Sequence, residues 1–189
     1  MNRLTLPALA LILLAGCSKA PDTQAPAAAA APSAEIAWVR PAAATDVDRA
    51  FEQAKADNKP VFLFWTAAWC PPCNQVKSTI FTRPEFIAKS RSFIPVYVDG
   101  DTPSGQMLGK RFSVSGYPTM VLLRPDGTEI TRLAGSVEPA KYMQVLDHGI
   151  AGGSSARETL AAALSGNSVS AEDWRLLAFY AWETDEQQM

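Results

Sequence analysis

Two cysteines three positions apart, Cys70 and Cys73 in Trp69-Cys70-Pro71-Pro72-Cys73, are the residues of this chain best suited to covalent chemistry. They follow an uncharged run, Val61-Phe62-Leu63-Phe64-Trp65, and precede a segment with helical spacing, Asn74 to Lys89. Two thiols so spaced at the first turn of a helix can close as a disulfide or stand apart as a dithiol. The unpaired N–H groups and macrodipole of a helix start favour an anion there. Cys70 is placed to feel that field, which stabilises its thiolate, the nucleophilic form. Pro71 and Pro72 need no amide partner in the first turn, and their fixed φ suits a helix start. The pattern is that of a redox centre.

Composition narrows the rest. The chain has 189 residues, 48% hydrophobic and 19% charged, with a formal net charge of -2. That is enough for one ordinary domain with a sizeable core and some tail. Near-neutral charge without a basic block argues against a nucleic-acid partner. There are three cysteines, and Cys17 lies far outside the expected fold, so Cys70 and Cys73 are their own partners and a multi-disulfide scaffold is excluded. A zinc site would need His148 and Cys17 as further N or S ligands, and no metal is expected. No nicotinamide or flavin motif is present, so no cofactor is expected either.

The elements that must position the pair can be read in order. A helix is expected from Thr45, as N-cap, to Asn58 and Pro60, with Val47, Phe51 and Ala54 on one face. Val61 to Thr66 does not alternate and reads as a strand buried on both faces. The next helix runs from Pro71 towards Lys89 and is interrupted near Arg83-Pro84. Phe93 to Val98 is a second strand, parallel to the first by the right-handed β-α-β rule. Gln106 to Phe112 is a short helix. Thr119 to Leu123 and Thr128 to Leu133 form a hairpin across Pro125-Asp126-Gly127, and a helix from Pro139 to His148 follows.

Arg3 and the apolar run Leu4 to Ala15 have the form of a secretory signal. Leu14-Ala15-Gly16-Cys17 resembles the lipobox of bacterial lipoproteins. That resemblance implies a signal peptide over 1–16, lipidation of Cys17 and, with Ser18 after it, the outer membrane; an ordinary signal cut later is the alternative. The Ala- and Pro-rich stretch to Ala44 completes a 17–44 anchor and tether. Extended like polyproline at ~3.1 Å per residue, it reaches about 80 Å. Within it, Glu35-Ile36-Ala37-Trp38-Val39 alternates and is expected to add a short strand or dock on the domain.

The order of elements, with the thiols at the end of the first core strand, resembles thioredoxin: an α/β fold with a mixed sheet flanked by helices over 45–150. Trp69-Cys70-Pro71-Pro72-Cys73, Tyr117-Pro118 before a strand, and the hairpin with its final helix carry the resemblance. Lys59-Pro60-Val61 and Phe81-Thr82-Arg83-Pro84-Glu85 place it nearest the thioredoxin-like domains of periplasmic thiol:disulfide interchange proteins. The resemblance implies that Cys70 attacks a partner disulfide and Cys73 resolves the mixed disulfide. It also implies that Trp69, Pro71, Pro72, Tyr117 and a cis Pro118 contact the substrate. Read from residues alone, a permanently closed structural disulfide, Trp69 as core and a trans Tyr117-Pro118 turn stay open. His148 is assigned no catalytic role.

Two departures matter. Where thioredoxin keeps a buried acid this chain has Phe64, and where a lysine pairs with it, Pro95. Cys73 therefore lacks the carboxylate thought to shuttle its proton, and turnover slower than in general thioredoxins is expected. Ala68 replaces an acid common in the family. A segment over 151–189, after Gly152-Gly153-Ser154-Ser155 as a flexible break, reads as a helical extension: Ala156 to Leu164 and Ala171 to Trp182. Trp174, Leu177, Ala178 and Ala181 are its expected apolar face, and Trp174, Phe179 and Trp182 are anchors for core or partner.

The resemblance thus implies a lipid-anchored periplasmic oxidoreductase acting on disulfides of exported proteins. A transmembrane thiol reductase would be its electron donor. An oxidase or isomerase, and a non-catalytic binding module, are the alternatives.

Overall fold

The computed structural model of the protein describes residues 35–182. The expected signal segment, Cys17 and the tether up to residue 34 lie outside the described residues. The centre is a four-stranded sheet in the order β2-β1-β3-β4. Strand β1 (Val61–Thr66) pairs in parallel with β2 (Ile94–Asp99) and antiparallel with β3 (Thr119–Leu123), which pairs antiparallel with β4 (Glu129–Ala134). Every residue of β1 is buried, which explains why its sequence is apolar without alternation. The β3–β4 turn closes through Gly127 N–H donating to the Arg124 carbonyl and Arg124 N–H to the Thr128 carbonyl, with Gly127 at φ 91°.

Helix α1 (Thr45–Asp57) precedes β1. Its N-cap is Ala44 rather than Thr45, with no side-chain cap; Asp46 in the first turn instead reaches back to accept from the N–H groups of Ala42 and Ala43 in the segment before the helix. Asn58 ends it in the left-handed conformation. The long helix after the cysteines is interrupted as expected. It divides into α2 (Pro71–Thr79) and α3 (Pro84–Lys89), with Arg83 extended at φ -71°, ψ 132° as a residue before proline prefers. Helix α4 (Pro103–Arg111) starts earlier than its apolar spacing implied. Thr102 caps it by accepting from Gly105 N–H at 3.0 Å, and Pro103 opens its first turn. Helix α5 (Pro139–Ile150) follows β4.

The two sheet faces carry separate cores. Phe62 and Phe64 point to one, with Val76, Ile80, Phe81, Phe86, Phe93 and Tyr142; Val61, Leu63 and Trp65 point to the other, with α1 and Leu108 of α4. The N-terminal segment docks on the outer edge of β2. Val39 N–H donates to Pro95 O and Tyr97 N–H to Val39 O, both at 2.8 Å, and Trp38 lies against Phe62, Phe64, Phe81 and Tyr97.

Helices α6 (Ala156–Leu164) and α7 (Ala171–Phe179) pack onto β4 and α5. The Gly-Gly-Ser-Ser connection is fixed rather than free. His148 Nε2 lies 2.9 Å from Ser154 O, and Ser155 and Glu158 form a capping box at the start of α6. Arg124 donates to both Glu158 oxygens, at 2.9 and 2.8 Å. The buried apolar residues of this part are Ala156, Leu176, Leu177 and Tyr180, whereas Trp174 is exposed. The expected face of α7 is thus rotated. The nine-residue helix ends at Phe179, and Tyr180 leaves it extended to reach the core. No helix among the described residues is long and apolar enough to cross a membrane.

Candidate active site

β1 and β2 run parallel, so their carboxyl ends open at one edge of the sheet, where crevices form in α/β proteins. The turn after β1 delivers Cys70 to the N-cap of α2 and Cys73 to its first turn. The two are joined as a disulfide, S–S 2.07 Å, and both are almost wholly buried. Cys73 N–H donates to Cys70 Sγ at 3.2 Å. Because Pro71 and Pro72 carry no N–H, this is the first amide of the helix able to face the sulfur. It aims the field of the helix start at Cys70, and α2 has no acidic residue in its first turn to oppose it.

Opposite lies the loop that ends in Pro118. The Tyr117–Pro118 peptide bond is cis, Pro118 is buried, and the Tyr117 ring packs against the buried cluster of Ala67, Cys70 and Cys73. Thr119 Oγ1 donates to Gly116 O at 2.8 Å, and Gly135 N–H donates to Pro118 O at 2.9 Å. None of these bonds uses the N–H or C=O of Tyr117. Trp69 is 69% exposed, a value that sets it at the surface rather than in the core, with its ring 6.3 Å from that of Tyr117. The sequence-expected residues Trp69, Cys70, Cys73, Tyr117 and Pro118 are therefore together, with Pro71 exposed and Pro72 half-buried on the rim.

The loop between β2 and α4 supplies residues that sequence reasoning missed. Asp101 Oδ1 accepts from Trp69 Nε1 at 2.9 Å. Tyr117 OH donates to Gly100 O at 3.3 Å, and Gln106 Nε2 donates to the same carbonyl. A side chain on Gly100 would put its Cβ 2.2 Å from the Tyr117 ring, so the ring rests where only glycine leaves room. The signal available was the position of Asp99-Gly100-Asp101 at the carboxyl end of a parallel strand. Beneath the site, Phe64 packs on Trp38, Phe81 and Tyr97, and Phe62 stands opposite Pro95 in register. A carboxylate at position 64 would be enclosed by rings, a costly place for a charge. No cluster of metal-ligating side chains exists among the described residues.

Known proteins agree with this geometry. The family described as thioredoxin-like domain matches residues 47–150. Thiol:disulfide interchange protein DsbD 2 of Pseudomonas aeruginosa is 27% identical over 115 residues, covering 59% of this chain and 20% of that protein. The DsbD of Cronobacter sakazakii is 33% identical over 99 residues, covering 51% and 17%. The chain thus spans about a fifth of the length of these relatives. Among solved structures, a thioredoxin from Thermus thermophilus aligns with TM-score 0.52 at 28% identity, covering 59% of this chain and 85% of that one. The oxidised C-terminal domain of Neisseria meningitidis DsbD aligns with TM-score 0.50 at 25% identity, covering 58% and 98%. By its sheet order, its cysteine-bearing helix start and the match over residues 47–150, this chain belongs to the thioredoxin-like domain family.

Proposed function

We propose that the protein is a periplasmic thiol:disulfide oxidoreductase, held to the outer membrane by a lipid on Cys17, that reduces or exchanges disulfides of exported proteins. The observation that carries the reading is the Cys70–Cys73 disulfide at a helix N-terminus, facing a loop that ends in Tyr117 and cis Pro118. Relatives named thiol:disulfide interchange proteins support it.

In the reduced form, the Cys70 thiolate attacks one sulfur of a substrate disulfide. A mixed disulfide forms, and the displaced substrate thiolate takes a proton. Cys73 then loses its proton and attacks Cys70 Sγ, which closes the internal disulfide and frees the second substrate thiolate. Two electrons pass to the substrate. A low-pKa attacking thiol and a good leaving thiol favour the exchange. The Cys73 N–H stabilises Cys70 both as nucleophile and as leaving group. The backbone of Tyr117 offers a donor and an acceptor to a substrate strand, while Trp69 covers the flank. Phe64 gives Cys73 no proton shuttle, so its proton leaves through water or substrate. Electrons return from a transmembrane thiol reductase.

The test is the reduction potential of the pair, measured on the full chain in mild detergent, equilibrated in thiol buffers and read by alkylation. A value near that of thioredoxin, about -270 mV, is expected for a reductase. A value near about -120 mV makes the protein a disulfide donor instead. A pair that cannot be cycled defeats the enzyme reading and leaves a binding module.

A further inference from the structure

Arg132 is the only buried charged residue among the described residues. A buried charge is costly unless fully paired, and its guanidinium is engaged on three sides. Nε and Nη2 donate to the two Glu129 oxygens at 2.9 and 2.7 Å. Nη2 also donates to Phe112 O, and Nη1 to Ser113 O, both at 2.8 Å. These two consecutive carbonyls open the loop that ends in Tyr117 and cis Pro118, and Ser113 there has φ 51°. The loop's far end is held by Gly135, the residue after β4, whose N–H donates to Pro118 O. β4 and the residue that follows it therefore grip both ends of the loop, at one of them through a side chain.

That side chain is held in turn by the C-terminal extension. Tyr180 OH donates to Glu129 Oε1 at 2.9 Å, and Ala181 N–H donates to Arg132 O at 3.0 Å. Burial together with the Glu129 charge pushes Tyr180 up to about 12. An apolar side chain of similar volume would serve stability alone as well as a buried ion pair does. A planar fork on two successive carbonyls does something different: it fixes the direction in which the loop sets out.

Resting on the reading of Cys70 and Cys73 as an exchange centre, we propose that Arg132 is a positioning residue for the substrate-binding loop. It is locked by Glu129 and by Tyr180 of the extension, and through it the extension tunes recognition of polypeptide substrates. It leaves the sulfur chemistry of Cys70 and Cys73 alone.

The test compares two oxidants, insulin and hydroxyethyl disulfide, with dithiothreitol as reductant and the full chain as catalyst. Dithiothreitol closes to its cyclic disulfide and gives two electrons to Cys70–Cys73. The pair passes them to the oxidant, whose two sulfurs leave as thiols. Insulin must lie along the loop, whereas the small disulfide needs only to reach Cys70 Sγ. Arg132→Lys keeps the charge and loses the fork. Its KM for insulin should rise about 5- to 10-fold, the worth of one hydrogen bond, with kcat within about 2-fold. Tyr180→Phe should raise the insulin KM about 2- to 3-fold. In both variants, turnover of hydroxyethyl disulfide and the reduction potential should stay at the wild-type value.

A lowered melting temperature with an unchanged insulin KM would make Arg132 structural only and overturn the proposal. So would an equal loss on both oxidants. If Arg132→Lys fails to fold, Tyr180→Phe decides by the same criteria. A wild-type chain that reduces neither oxidant defeats the exchange reading itself, and the proposal with it.

Discussion

On one face of the sheet, β1 presents Phe62 and Phe64 to a layer of rings; on the other, it presents Val61, Leu63 and Trp65 to a layer dominated by aliphatic side chains. Phe62 alone meets the rings of Trp38, Phe81, Phe86, Phe93 and Tyr142. The aromatic face carries α2 and hence both cysteines. It also takes in the additions outside the family match, Trp38 and the helices α6 and α7. The other face carries α4 and the turn before it, which hold Trp69 and Tyr117 through Asp101, Gly100 and Gln106. Each face thus supplies half of the site: the sulfurs from one, the walls of the crevice from the other. The wide rings let the first face accept extra elements without a second core.

The sharpest way to break this comparison is to remove one side chain from each face. Phe62→Ala should cost about 4 kcal/mol and Val96→Ala about 2 kcal/mol in denaturant unfolding, because more buried surface and a larger cavity are at stake on the aromatic face. Equal losses would mean that the faces differ in composition and not in energetic weight.

A smaller effect is expected at the wall of the crevice. Gly100→Ala drives a methyl into the Tyr117 ring. The ring can swing outward, so stability should fall by only about 1 kcal/mol, at the low end of overpacking costs. Insulin reduction should fall several-fold more than reduction of a small disulfide. A variant with unaltered insulin kinetics would show that Tyr117 needs no support from the β2–α4 turn.

The smallest effect concerns the extension. Arg124 and the capping-box bonds to Ser155 hold the Glu158 carboxyl down at about 2, against 4.5 ordinarily. An acid whose folded pKa is depressed stabilises above its unfolded value, and that contribution fades as pH falls through the folded one. Wild type should therefore exceed Glu158→Gln in urea midpoint at pH 6, and the gap should close between pH ~4.5 and ~2. Glu158 is largely solvent-exposed, so the gap should stay under about 1 kcal/mol. A gap that persisted at pH 2 would assign the effect to packing rather than charge.

What could be read from the residues and what could not divide along physical lines. β1, the Arg83-Pro84 interruption and the Asp126-Gly127 turn are local: apolar runs, proline sterics and a positive-φ glycine act within a few residues. Cys70 at a helix start is local too. Asp101, Gly100 and Gln106 were not legible, because their partners Trp69 and Tyr117 are distant in sequence and meet only once β1 and β2 align. The face of α7 was misjudged for a related reason. Nine residues define a helical stripe poorly, and Tyr180, just past the helix end, was drawn inward by Glu129. At Thr45 the helix starts one residue earlier than a threonine cap implies, and Asp46 ties back the incoming segment instead of a hydroxyl capping the first turn.

Val39 on the flank of β2 and Ala181 on the flank of β4 have a consequence for the company this protein keeps. An open sheet margin is a template on which other chains can add strands, the usual beginning of co-aggregation. Here one margin is occupied by Val39 and further blunted by Pro95, which has no amide to offer, and the other is met by Ala181. A catalyst of the proposed kind, meeting unfolded, disulfide-bearing polypeptides, would be exposed to sticky strands at every encounter. Each margin is thus engaged at one point, whereas a strand that paired with the backbone of Tyr117, as proposed, would lie against the sulfurs.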